Sequence, residues 1–200
     1  MEELSNIDYS LSKEEFVVLA ALREMDRFYG IEMDVNSYDD ITILNALQKL
    51  AAKGIIENQD RSFKLASPYD SMFDYLKYSD LFLSITAFND EIVPSYVYVG
   101  RQLLLIKNDA VNSNRLLMRL MSVDQLLTYL DDMDYLNFDR YSEKAIIHFD
   151  CKRISTAQTV WELHIDRDNL DYYIYGKKDG VTVEREYQKD EFMSMVKKWL

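Results

Sequence analysis

The chain has 200 residues, 48% of them apolar, a proportion that supports a packed core and excludes disorder for its bulk. A formal net charge of -12 sets a field that repels nucleic acid and anionic lipid, so neither is expected as a partner of the surface as a whole. Met1-Glu2-Glu3 lacks the positive flank of a secretory signal, and the longest unbroken apolar run, Phe16 to Leu22, is far short of the roughly 20 residues that span a bilayer. No membrane insertion is expected. A single cysteine, Cys151, allows no internal disulfide and fits a reducing compartment, which points to the cytoplasm.

In chain order, the first 66 residues predict helices with one short hairpin. Ser12 and Glu15 are spaced as a capping box, in which the hydroxyl and the carboxylate each satisfy a free backbone N–H. The helix behind them is apolar on more than one face from Phe16 to Leu22, and Phe28, Tyr29 and Gly30 are expected to end it. A second helix should start near Asp39 or Asp40, whose charges suit the positive end of the helix dipole. It carries Ile43, Leu44, Leu47, Leu50 and Ala51 at helical spacing and closes at Lys53-Gly54, glycine being the favoured left-handed residue past a helix end. Ile55-Ile56, a polar turn over Asn58 to Arg61, and Phe63-Lys64-Leu65 predict a small hairpin. Helix, helix, hairpin is the order of a winged-helix module.

Ser67-Pro68 reads as the next helix start, with proline at the first helical position and Met72, Phe73 and Leu76 inside. Strands follow at Leu81 to Phe88, Tyr96 to Val99, Leu103 to Lys107 and Arg115 to Met121. Ser122 and Gln125 form a second capping box before a helix with Val123, Leu126, Leu127 and Leu130 on one stripe. After a polar stretch from Asp131 to Glu143, strands are predicted at Ala145 to Arg153, Val160 to Ile165, Leu170 to Tyr175 and Val181 to Tyr187. A terminal helix presents Phe192, Val196, Trp199 and Leu200 at i, i+4, i+7 and i+8.

Met118 to Leu127 aligns without a gap on Glu184 to Met193, matching Arg119 with Arg185, Asp124 with Asp190 and Leu126 with Phe192. This predicts an internal pseudo-twofold repeat, ββββα twice, although the apolar side of the fourth strand changes parity between the copies. The expected class is therefore α+β: a winged-helix-like segment over 1–66, a strand-rich unit with a helix over 67–134, and a second with a C-terminal helix over 135–200. The three are expected to form one compact body, with an antiparallel sheet and flanking helices.

The residues that could carry chemistry do not assemble a known site. Five scattered glycines form neither a dinucleotide fingerprint nor a P-loop, and no nucleophile elbow, metalloprotease helix or C-x-x-C is present. His148 and His164 lie equidistant from a turn near Thr156 and should face each other across an antiparallel pair. Cys151 has the opposite strand parity to His148, so the three do not converge on a metal. Asp131, Asp132 and Asp134 lack the spaced oxygens and central glycine of a calcium loop. No catalytic residue, metal or cofactor is assigned, and an enzyme acting on a small molecule ranks last among the readings.

A DNA-binding winged helix needs cations near phosphates and side chains that reach base edges. Here residues 1–66 hold thirteen acids and seven bases, and Asp39-Asp40 sit at the end of the helix that should enter the groove. An acidic winged-helix transcriptional regulator is the second reading.

The layout resembles the EspG-like chaperones of the type VII (ESX) secretion system. The likeness rests on Leu11-Ser12-Lys13-Glu14-Glu15-Phe16 followed by Leu19 and Leu22, on Lys53-Gly54-Ile55-Ile56 with Phe63-Lys64-Leu65, and on Gly100-Arg101-Gln102-Leu103 entering an apolar strand. It covers nearly the whole chain as a pattern. This chain departs from the familiar members in being shorter, poorer in Gly, Ala and Pro, and rich in Lys, Ile, Asn and Tyr, like a relative from a low-GC Gram-positive host. The resemblance implies a cytosolic, ATP-independent adaptor that binds a secreted helical-hairpin client. By position it also implies client contacts from Phe88, Ile92, Val93 and Pro94 in the loop between early strands, and from Phe192 and Trp199 on the last helix.

Overall fold

A computed structural model describes residues 8–25, 28–31, 33, 37–59, 62–87, 93–138, 147–168 and 171–200. The first strand, β1 (Tyr9–Ser12), leads directly into α1 (Lys13–Leu22). The capping box forms as spaced: Glu15 N donates to Ser12 Oγ, and Ser12 N donates to Glu15 Oε2 at 2.9 Å. Tyr9–Ser12 is a strand that the sequence reading, helices and one hairpin over the first 66 residues, does not include. Four residues are too few to show a period, and what makes them a strand is a distant partner, since Leu11 and Tyr9 pair with Leu116 and Met118. α1 also ends earlier than Phe28, at Leu22, where Arg23 N donates back to Leu19 O and Glu24 turns to φ 55°.

Asp39 caps α2 (Asp40–Ala52) by accepting from Thr42 N at 2.7 Å, and Gly54 follows the helix with φ 67°, as its position demands. The hairpin β2 (Ile56–Gln59) and β3 (Ser62–Leu65) forms a separate two-stranded sheet. α3 (Tyr69–Tyr78) begins one residue later than Ser67-Pro68 predicted. Pro68 is the cap itself and supplies the carbonyl that Met72 N binds, so proline stands outside the first helical position.

The remaining strands are β4 (Leu81–Ala87), β5 (Ser95–Val99), β6 (Leu103–Asn108), β7 (Arg115–Met121), β8 (Ile147–Arg153), β9 (Thr159–Asp168), β10 (Asp171–Lys178) and β11 (Val181–Glu186). With β1 they make a nine-stranded antiparallel sheet in the order β1-β7-β6-β5-β4-β8-β9-β10-β11. Two local meanders, β4 to β7 and β8 to β11, therefore run outward in opposite directions from a central β4–β8 seam, where Leu83 pairs with Cys151. α4 (Val123–Asp132) follows the first meander and α5 (Lys189–Trp199) the second. The gapless alignment of the sequence sets Val123, the start of α4, over Lys189, the start of α5. Phe88, Ala145 and Leu170, expected as strand ends, lie outside the described residues.

Each face of the sheet has its own core. One face carries Leu83, Ile85, Val97, Leu105, Phe149, Cys151, Trp161, Leu163 and Ile174, and α4 and α5 cover it with Leu126, Leu127, Leu130, Phe192 and Val196. The other carries Phe82, Tyr98, Leu104, Ile106, Leu116 and Met118, covered by Phe16, Leu19, Leu50, Met72 and Phe73 from α1, α2 and α3. This second core stops at β4.

Candidate functional site

Beyond β4, the second face continues over β8, β9, β10 and β11 with side chains of a different kind. Antiparallel partners share a face, so the strand registers place three rows across these strands. The middle row reads Thr86, His148, His164, Tyr175, Glu184. Above it lie Ser84, Asp150, Glu162, Lys177 and Thr182, and below it Asp166, Tyr173 and Glu186. Strict alternation in β8 and β9 sends Phe149, Cys151, Trp161 and Leu163 to the far core and leaves His148, Asp150, Glu162 and His164 here.

The two histidines face each other as their spacing predicts. Their rings stack with centroids 4.5 Å apart and planes 9° apart, and Tyr175 continues the stack at 5.3 Å and 18° from His164. Tyr173 adjoins Tyr175 at 6.4 Å. These rings are half-buried while Glu162, Lys177, Glu184 and Glu186 are exposed, which makes an aromatic stripe with a charged border. Partial desolvation, and then the neighbouring His164, depress the pKa of His148 below its ordinary value; Asp166, Glu162 and Asp150 oppose that shift. The Tyr175 hydroxyl is pushed the other way, first by desolvation and then by the carboxylates of Glu184, Asp168 and Asp166. Cys151 is on the opposite face and fully buried, where desolvation raises its thiol to about 12, so it is an inert core residue. Among the described residues no group of three or more His, Cys, Asp or Glu side chains is arranged to hold a metal ion.

The residues expected to touch a partner are dispersed. Phe88 and Ile92 lie outside the described residues; Val93 is half-buried just before β5, and Pro94 is exposed. Phe192, a contact candidate only through the resemblance, is fully buried, its ring edge-on to Phe149 at 5.3 Å, so its side of α5 points into the core. Trp199 is half-buried, edge-on to Trp161 at 5.8 Å. It lies over Gly176, where an added Cβ would meet the Trp199 ring at 2.8 Å. Gly100 and Arg101 line a cleft of 520 Å³ with Asp74, Tyr75 and Tyr78, away from the aromatic stripe. Tyr173, Tyr175, Glu184 and Glu186 were not singled out from the sequence. For Tyr173 and Tyr175 the signal was the alternation of β10, which leaves one side of the strand polar or aromatic-polar; β11, which holds Glu184 and Glu186, is exposed almost throughout and offered none.

No protein-family model matches the chain, and no curated protein matches it by sequence. Among solved structures its fold is similar to that of the Mycobacterium tuberculosis type VII secretion system chaperone EspG5, determined in complex with a PE25-PPE41 dimer. The TM-score is 0.62 at 8% sequence identity, over 96% of this chain and 95% of that one. The shared property is the α+β architecture of a large antiparallel sheet with flanking helices. No helix among the described residues is long and apolar enough to cross a membrane.

Proposed function

We propose that this protein is a cytoplasmic chaperone or adaptor of a type VII secretion system, which holds a secreted helical-hairpin client before export. The observation that carries the reading is the likeness of fold to EspG5 over nearly the full length of both chains. The half of the sheet face that carries no helix among the described residues supports it physically, because a protein-binding surface wants a partly apolar, aromatic-rich centre with a polar border. Thr86, near the end of β4, pairs with His148, and Val93 and Pro94 stand just before β5; with Phe88 and Ile92 of the same connection they are proposed as further client contacts.

The second meander with α5 is read as a repeat of the first with α4. The strand order supports this, and so does the matched start of the two helices. The change of apolar parity in the fourth strand then has a physical cause. Leu116 and Met118 of β7 point to the face covered by α1 to α3, and their counterparts Thr182 and Glu184 point to the same face where it is open. On this reading the helix-helix-hairpin segment, a winged-helix-like unit, serves as a cover for the first repeat.

The test is affinity purification of the tagged protein from its own host, with mass spectrometry of what co-elutes. A stoichiometric small helical protein encoded in a secretion locus is the expected result. Recovery of DNA with transcription components would replace the reading with that of an acidic regulator. In the purified complex, Ile92→Asp with Val93→Asp should abolish client binding and leave the melting temperature within a few degrees.

A further inference from the structure

We infer that the open half-face takes a helix presenting arginine or lysine side chains. The inference rests on the client-binding reading and specifies the chemistry of the client segment.

The molecule itself shows what covers this kind of surface. On the first meander the same face lies under helices, and the residues pointing up at them are Phe82, Leu104, Ile106, Leu116 and Met118, which call for apolar undersides. On the second meander the corresponding layer is absent among the described residues, and the upward residues are not apolar. A helix laid there meets the stack of His148, His164 and Tyr175, with Tyr173 beside it. It also meets Asp150, Glu162, Asp166, Glu184 and Glu186 against only Lys152 and Lys177. Lys152 Nζ is already 2.6 Å from Asp150 Oδ2, so the surplus on this face is negative.

Aromatic faces attract cations through the ring quadrupole, and carboxylates beside them add direct charge complementarity. A guanidinium suits both at once, since it can stack on the face of Tyr175 turned away from His164, or on Tyr173, while its N–H groups reach Glu184 or Glu186. An acidic helix would place like charges together, and an all-apolar one would leave the border carboxylates desolvated without partners. An extended strand is the poorer occupant. It would add to a sheet edge, which here is the outer side of β11, and would leave the face over β8 to β10 untouched, since those strands are paired on both sides.

The probe is a synthetic amphipathic helix of about 20 residues with arginine along one face, paired with a counterpart carrying glutamate at those positions. Amide chemical shifts of the full chain are followed during titration. The arginine peptide should shift His148, His164, Tyr173 and Tyr175 and their strand neighbours. Its affinity should fall about tenfold in the triple variant Glu162→Gln, Glu184→Gln, Glu186→Gln, and should fall steeply between about 50 and 300 mM salt. Equal binding of the glutamate peptide, an unchanged affinity in the triple variant, or shifts confined to other surfaces would overturn the inference. The two readings fail separately. A co-purified client that binds the triple variant as tightly as the parent removes the basic-helix inference and keeps the chaperone. An arginine peptide that binds as expected, with no client found in the host, does the reverse.

Discussion

One face of one sheet behaves in two ways. Over β5 to β7, and at Phe82 of β4, the residues on it are mostly apolar and lie under α1 to α3, with Tyr98 so desolvated that its hydroxyl pKa is driven far up. Tyr98 still satisfies itself, donating to Tyr29 O at 3.0 Å and accepting from Tyr29 N at 2.9 Å. Over β8 to β11 the same alternation delivers histidine, tyrosine and carboxylates, which carry no helix above them among the described residues. The strands are built alike on both sides of the seam. What separates scaffold from candidate binding surface is the side chain set at alternate positions, and with it the layer that those side chains can recruit.

The contrast can be broken first at the core shared by both halves. Phe149 is fully buried between the seam and Phe192, and Phe149→Ala should cost about 3–5 kcal/mol in chemical denaturation. A loss under about 1 kcal/mol would mean that the far core is not continuous under the second meander. Gly176→Ala comes next. A methyl group there collides with Leu163 and Trp199, so a loss of about 1–3 kcal/mol is expected together with a changed tryptophan emission spectrum. Retained emission and stability would show that Trp199 does not rest on the strand.

Tyr175→Ala should cost less than about 1 kcal/mol, because the ring is half-buried on a face that no helix covers among the described residues. A cost like that of Phe149 would show that something covers this face. The smallest effect is a pH slope. The pKa of His148 is depressed in the fold from 6.5, so its contribution to stability is whole above about that pH. It is lost as the pH falls through the depressed value, and then levels off. Urea melts between pH 7.5 and 5.5 should show this decline, above the range where most carboxylates titrate. His148→Gln should flatten it; a slope of the same size in the variant would assign the effect elsewhere.

The capping residues of α1, α2 and α4 and the alternating strands were legible because each rests on neighbours a few positions away. The facing of His148 and His164 was legible for the same reason, the two being joined by a single turn. β1 was not, since its partner lies about a hundred residues downstream and four residues carry no period of their own. Phe192 and Trp199 illustrate a second limit. Helical spacing shows that residues share a face, but only the packing of α5 on the sheet decides whether that face looks inward, as it does for Phe192. The open face escaped notice because it is defined by a missing cover. Alternation marks one side of a strand as polar, yet it cannot say that four such strands lie side by side.

The central β4–β8 seam also has a consequence in time. Its two strands are separated in the chain by the whole of the first meander and α4, so at translation speeds of about 5–20 residues per second several seconds pass between their emergence. During that interval β5, β6 and β7 emerge in turn and can pair locally on one side of β4. Its other side, with Leu83 and Ile85 to either side of Ser84, is an unpaired hydrogen-bonding edge. The nascent protein is thus most open to misassociation at its middle, and the arrival of β8 closes that edge.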